Sequence, residues 1–394
     1  MMRRKIRMGM VGGGPGSMIG PIHRLAARLD GEVELVCGAF SRDLERSRET
    51  AESLHLPAER VYPDYRAMMQ GEAALPDGER MDFVAVVTPN DSHFPIAKAA
   101  LEHGFHVLSD KPATKSLDEV EQLAASLQQS GLLYGLTHTY AGYPMIKQAR
   151  SMIAAGALGR VRKVLVEYPQ GWLAEAGIEA HSRQAAWRLD PNQAGVSSCV
   201  GDIGSHAAQL SEYVAGTAIS EICADLNAVV DGRQMDDDAT VLLRFENGAR
   251  GVLIASQICA GEENNLKLRI YGEKGGLEWQ QHEPNTLWLK WIDRPTEMLR
   301  AGGPGLTELA LANCRTPGGH PEGYLEAFAN HYRNFAGQIR ARLEGRAATA
   351  IESDVPDIVD ALRGMRFIEA TVSAASTDQK WHRLPALMAL ENQL

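Results

Sequence analysis

The chain has 394 residues, 44% hydrophobic and 23% charged, with 40 Lys plus Arg against 50 Asp plus Glu. That length suits two or three domains of roughly 100–200 residues each, leaves ample chain for a core, and the composition excludes a disordered polymer. A net charge of −10 excludes a global electrostatic footprint for nucleic acid or anionic membrane, and no apolar run nears the roughly 18 residues that span a bilayer.

The chain opens on Met1-Met2-Arg3-Arg4-Lys5 and an apolar stretch, 6–11, that runs straight into Gly12-Gly13-Gly14-Pro15-Gly16. The stretch is too short for the apolar core of a signal peptide and reads as a first strand. A helix follows over 22–29, a strand over 33–40, a polar helix over 42–54 and a continuous apolar strand over 83–87. Helix 96–102, strand 105–108, helix 117–129 and strand 132–136 continue the alternation. Repeated βα units with near-continuous apolar strands predict a parallel sheet covered on both faces.

The pattern changes near residue 140. Helix 145–155, stopped at Gly156, precedes strand-like segments at 161–168, 223–230, 239–245, 251–257, 266–271 and 287–291. Asn247-Gly248 marks a hairpin between two of them. This predicts a large, mainly antiparallel sheet, with helices near 205–215, 322–345 and 356–375. Residues 294–319, rich in Gly and Pro, are expected to form one long loop, and Asp236-Asp237-Asp238 a solvated turn rather than a calcium loop. The five cysteines (37, 199, 223, 259 and 314) are odd in number and far apart, with no C-x-x-C. They argue against a disulfide framework and a thiolate zinc site, and for a reducing, cytoplasmic setting.

A glycine-rich turn between the first strand and first helix is the setting of a dinucleotide-phosphate loop. Gly12 allows the tight turn, Gly14 a close backbone approach, and Pro15, Gly16 and Ser17 complete the loop. The spacing departs from G-x-G-x-x-G. Either Ser17 is the small third residue, or an insertion passes that role to Gly20. After the second strand no acid stands at the ribose position. Ser41 and Arg42 suit a 2′-phosphate, so the cofactor is NAD or NADP, with a lean to NADP.

Further on come Thr88-Pro89-Asn90 with His93, then Asp110-Lys111-Pro112, then Gly201-Asp202-Ile203-Gly204-Ser205-His206. In this order and over the first 210 residues, the chain resembles the Gfo/Idh/MocA oxidoreductases. Asp110 stands where that family usually has Glu. The resemblance implies an α/β fold with an N-terminal Rossmann doubly wound parallel sheet (1–140). A C-terminal α/β domain (141–394) would follow, built on an open-faced sheet that a second subunit covers in a homodimer or homotetramer. It also implies that Thr88, Pro89, Asn90, His93, Asp110 and Lys111 complete the cofactor site.

Oxidising a secondary alcohol requires a base poised near neutrality and a cation or donor at the oxygen. His206 is the expected base and Lys111, at the carboxyl edge of the sheet, the polarising or relaying group. Asp202, four residues before His206, is expected to share its face, to orient it and the substrate, and to raise its pKa. Tyr140, Trp172 and Arg188 are expected to join these three around a polyol or sugar. No metal site is expected. The predicted activity is NAD(P)-dependent oxidation of a ring secondary alcohol in a cyclitol, sugar or glycoside. Two other readings stay open: a lyase or glycosidase using tightly bound NAD for transient oxidation, and a non-catalytic sugar or cofactor sensor.

Overall fold

The computed structural model describes residues 4–385. Strands β1 (Ile6–Gly12), β2 (Val33–Ala39), β3 (Phe83–Val87), β4 (His106–Ser109) and β5 (Tyr134–Leu136) form a five-stranded sheet in the order β2-β1-β3-β4-β5. Every pairing in it is parallel. All five residues of β3 are buried, as a strand covered on both faces requires. The chain leaves β1 toward β2 on one side and β3 on the other. Their carboxyl ends therefore diverge into a crevice, where ligands of open α/β sheets sit. One helix here, Tyr65–Ala73, escaped the sequence reading. It buries only Met68, Met69 and Glu72, so its apolar stripe is too narrow to register.

The second sheet adds β6 (Lys163–Pro169), β7 (Ile219–Asn227), β8 (Asp238–Phe245), β9 (Arg250–Ser256), β10 (Lys267–Tyr271), β11 (Gly275–Gln280), β12 (Thr286–Trp291), β13 (Glu297–Arg300) and β14 (His382–Arg383). Its order is β13-β12-β11-β10-β6-β9-β8-β7-β14, antiparallel except where β6 meets β9. The fold class is thus the one the sequence implied. The long loop expected over 294–319 is not one loop. It holds edge strand β13, paired to β12 from Leu289↔Glu297 to Thr286↔Arg300, and a helix Glu308–Ala312 capped by Thr307. Three of the four β13 residues are exposed, so the strand lacks the alternation that would reveal it.

One face of this sheet buries Val164, Val166, Leu243, Leu253, Leu268 and Ile270. The opposite face leaves Leu242, Ile254, Trp288 and Met298 exposed. Helix Tyr324–Leu343 returns to the first sheet, where Phe328, Tyr332 and Phe335 pack in one cluster with Ile6, Met8 and Phe83. Helix Ser205–Ala215 is buried along nearly its whole length, which fixes the position of His206 at its start.

Candidate active site

The β1/β3 crevice widens into a cleft of about 1200 Å³ lined by both halves of the chain. At its floor Gly12 has φ +86°, and a β-carbon there would lie 2.2 Å from the Val87 carbonyl oxygen. Gly20 starts the first helix, and a β-carbon on it would stand 2.4 Å from Gly13 Cα. The helix–strand crossing therefore needs Gly20, and the insertion reading holds over the one that assigned Ser17. Ser17 Oγ instead accepts from the Gly20 amide at 3.0 Å. Gly14 has a second reason to be small. Its N–H donates to Phe40 O at 3.1 Å, and a β-carbon would reach that same oxygen at 2.5 Å. Its smallness thus serves packing against the end of β2 as well as the loop. Pro15, Gly16 and Ser17 line the cleft.

Two arginines brace this loop through its carbonyls: Arg24 donates to Gly13 O at 2.7 Å and Arg46 to Pro15 O at 2.9 Å. Ser41, Arg42 and Arg46 line the same end of the cleft. Asp43 is spent on capping the next helix, accepting from Glu45 N at 2.9 Å. Arg46 was missed in the sequence, where its only signal is a basic residue in the first turn after β2.

Thr88, Pro89 and Asn90 line the cleft beyond β3. Thr88 Oγ1 is buried with no hydrogen-bond partner among the described residues. A buried orphan hydroxyl beside a turn free of β-carbons fits a bound dinucleotide. Asn90 crosses the cleft, its Nδ2 donating to Ala194 O at 2.9 Å. His93 is a correction. It is buried outside the cleft, with Nδ1 2.7 Å from Pro112 O and Nε2 2.7 Å from Thr88 O. It ties the two loops together and presents no nitrogen to a cofactor. Asp110 lines the cleft, and its Oδ1 accepts from Lys111 N at 2.9 Å and Thr137 Oγ1 at 3.0 Å. Burial opposes its ionisation, but His23 and Lys111 outweigh this and hold its carboxyl below the usual range.

Lys111, Asp202 and Arg188 come together. Lys111 Nζ donates to Asp202 Oδ1 at 2.8 Å and to its backbone carbonyl at 2.7 Å. Arg188 Nε reaches Asp202 Oδ2 at 3.2 Å, and Gln257 Nε2 reaches the same oxygen at 2.9 Å. Burial pushes the Asp202 carboxyl up, yet Arg188 and Lys111 hold it well below the usual range. Asp202 sits in a π-helical turn, Val200–Gly204, that precedes the helix of His206. Its carboxylate is committed to Lys111, Arg188 and Gln257, and no hydrogen bond joins it to His206.

His206 pairs instead with His138, Nδ1 to Nδ1 at 3.2 Å, with the rings edge to face. Asp202 does pull the imidazole pKa upward as expected, but it is outweighed. Burial first, then Lys111 and His138, push His206 well below 6.5 despite the opposing pull of Asp202. His138 falls to about 3, again chiefly through burial and then Lys111.

The cleft wall around His206 joins aromatic faces to amides. Tyr140 stands edge-on to His206 and hydrogen-bonds Tyr168, which donates to Asn264 Oδ1 at 2.7 Å. Trp172 Nε1 donates to Gln170 Oε1 at 2.9 Å, and the Arg188 guanidinium lies over the Trp172 and Trp187 rings. Gln184, Asn264 and Gln257 went unnoticed in the sequence, because amide side chains carry no spacing signal. The triad of aspartates is also corrected. Asp236 is buried and accepts from Ser197 Oγ, Ser198 N and Val200 N at 2.7–2.9 Å, so it anchors the entry to the Asp202 turn. Asp237 is fully buried and accepts from Val229 N, Val230 N and Arg233.

The oxidoreductase family described by an NAD-binding Rossmann fold matches residues 6–138, and the GFO/IDH/MocA C-terminal domain matches residues 146–278. An uncharacterized oxidoreductase, YfiI of Bacillus subtilis, is 35% identical over 97% of each chain.

The chain belongs to the Gfo/Idh/MocA oxidoreductase family.

Among solved structures of this family, an inositol dehydrogenase homolog from Azotobacter vinelandii complexed with NAD+ superposes with a TM-score of 0.91. It is 38% identical and covers 96% of this chain and 97% of that one. A structure described as an inositol dehydrogenase homolog complexed with NADH and myo-inositol, also from A. vinelandii, gives 0.88 at 36% identity, over 96% and 98% of the two chains. Among the described residues of this Gfo/Idh/MocA protein, no helix is long and apolar enough to cross a membrane. Nor is any group of three or more His, Cys, Asp or Glu placed to hold a metal ion.

Proposed function

We propose that this protein oxidises a ring secondary alcohol of a cyclitol, sugar or glycoside with NAD(P), or reduces the corresponding ketone. The observation that carries the reading is the convergence of Lys111, Asp202 and His206 in one cleft between a dinucleotide loop and a wall of aromatic and amide side chains. Bound nicotinamide supplies the hydride acceptor. The chain's residues handle the proton and the oxygen. An ammonium has three donors, and Lys111 spends two on Asp202, leaving one for the substrate oxygen. His138 occupies Nδ1 of His206, which leaves Nε2 as the ring nitrogen for the cleft. His206, held neutral by burial, takes the hydroxyl proton there. Asp202 keeps Lys111 and Arg188 in place and balances their charge. Trp172, Tyr140 and the amides give a ring stacking surface and hydroxyl partners.

Ser41, Arg42 and Arg46, with no carboxylate at the end of β2, support NADP over NAD. Residues 1–140 carry the cofactor half in this reading, and 141–394 the substrate half. The apolar side chains on the open sheet face support a homodimer or homotetramer built through it. Five cysteines without disulfides suit the reducing cytoplasm.

The test follows the near-ultraviolet band of reduced nicotinamide with NAD and NADP against inositols, aldoses and glucosides. Reduced cofactor should form in step with product. Lys111→Met and His206→Ala should each lower kcat by about 10²–10⁴-fold. Product without accumulating reduced cofactor would replace this reading with transient oxidation by a lyase. Full activity in both variants would refute the assigned roles.

A further inference from the structure

Between β6 and the helix of His206 the chain makes a long excursion, residues 170–199, that crosses to the cofactor half. It is braced by its own caps: Ser182 Oγ accepts from Ala185 N, and Asp190 from Asn192 N. It touches the first domain at the Asn90–Ala194 hydrogen bond and at Gly195, where a β-carbon would lie 2.7 Å from Lys115 O. The short helix Arg183–Arg188 therefore stands across the cleft from the glycine loop. Its last residue, Arg188, holds Asp202. Its first, Arg183, points the other way: Nη1 is 3.7 Å from where a β-carbon on Gly16 would be.

The three arginines near this loop differ in use. Arg24 and Arg46 spend donors on loop carbonyls. Arg183 faces the loop from the open side of the cleft, is exposed, and has no hydrogen bond or ion pair among the described residues. An unpaired guanidinium held over a phosphate-type loop meets a pyrophosphate with a planar fork of donors.

We propose that Arg183 is a clamp on the cofactor pyrophosphate, supplied by the substrate half of the chain. The proposal rests on the dinucleotide reading above and adds a coupling to it. Arg183 and Arg188 share one short helix, so a pyrophosphate that fixes Arg183 also fixes Gln184, Trp187 and Arg188 around Asp202. Cofactor then binds first and completes the substrate wall.

The experiment is equilibrium binding, read by quenching of the cleft tryptophans Trp172 and Trp187, with NADH, NADPH, ADP-ribose and adenosine as probes. Arg183→Gln is expected to weaken NADH and ADP-ribose by about 10-fold, the size of one lost charged hydrogen bond, and to leave adenosine unchanged. Arg183→Lys should recover part of the loss, and added salt should shrink the difference. Equal NADH affinity in Arg183→Gln and wild type would overturn the clamp while leaving the dinucleotide site standing. So would a loss shared equally by adenosine. A wild-type protein that binds none of NADH, NADPH and ADP-ribose would overturn both.

Discussion

Lys147 and Asp354 form an ion pair behind the active site, with side chains 1% and 11% exposed and Nζ 2.6 Å from Oδ2. Tyr213 donates to the same carboxylate at 2.8 and 3.0 Å, and its ring lies against the ammonium. Tyr213 is on the helix that carries His206, so the pair anchors that helix to the segment before Ile358–Ala375. Lys147→Met leaves a buried carboxylate with the Tyr213 hydroxyl and the weaker field of Arg150; Asp354→Leu leaves a buried ammonium. Each is expected to cost about 3–5 kcal/mol. At roughly 2.1 cal/mol/K per residue, unfolding the chain as one unit carries about 0.8 kcal/mol/K, so about 4 kcal/mol lowers Tm by about 5 °C. The double variant should recover most of the loss, because both desolvation costs vanish together. Burial opposes Asp354 ionisation, but Lys147 and Tyr213 hold its pKa below the ordinary value. A depressed folded pKa stabilises above the unfolded value of about 3.9 and loses that contribution as pH falls through the folded one. The Lys147→Met penalty should thus be largest near neutrality and fade in acid. Calorimetry of the two singles and the double at several pH values makes the measurement. Singles within about 1 kcal/mol of wild type, or a double as unstable as the sum, would refute the reasoning.

Gly20→Ala places a methyl 2.4 Å from Gly13 Cα, so the first helix must shift away from the loop; NADH affinity is expected to fall at least about 10-fold, and titration with unchanged affinity would contradict the packing argument. Because burial, Lys111 and His138 push His206 below 6.5, it stays neutral through the physiological range. The acid limb of kcat/KM should lie below pH 6.5, and a limb centred at or above it would exclude His206 as the titrating base. Asp236→Ala strands the amides of Ser198 and Val200, at a cost of about 1–3 kcal/mol each; denaturant titration should register the loss, and kcat should fall more than NADH affinity because the turn of Asp202 loosens.

The order of βα units, the sheet classes and the line of cleft residues from Gly12 to His206 were legible in the sequence. They are local properties. A buried parallel strand must read as a continuous apolar run, and a phosphate turn must omit β-carbons. Weakly patterned pieces escaped for the same reason: β13 is nearly all exposed, and Tyr65–Ala73 buries only three side chains. Which polar groups meet was decided by tertiary structure alone. The spacing of Asp202 and His206 suggested a pair, but the π-helical turn and the arrival of Lys111, Arg188 and Gln257 from three other segments claimed the carboxylate. His138, remote in sequence, took the imidazole. His93 read as a ligand and is a tie between loops, whereas Asp236 read as solvated and is a buried anchor. Hydrogen bonds and desolvation depend on what lies within about 3 Å, and for residues far apart along the chain only the fold sets that distance.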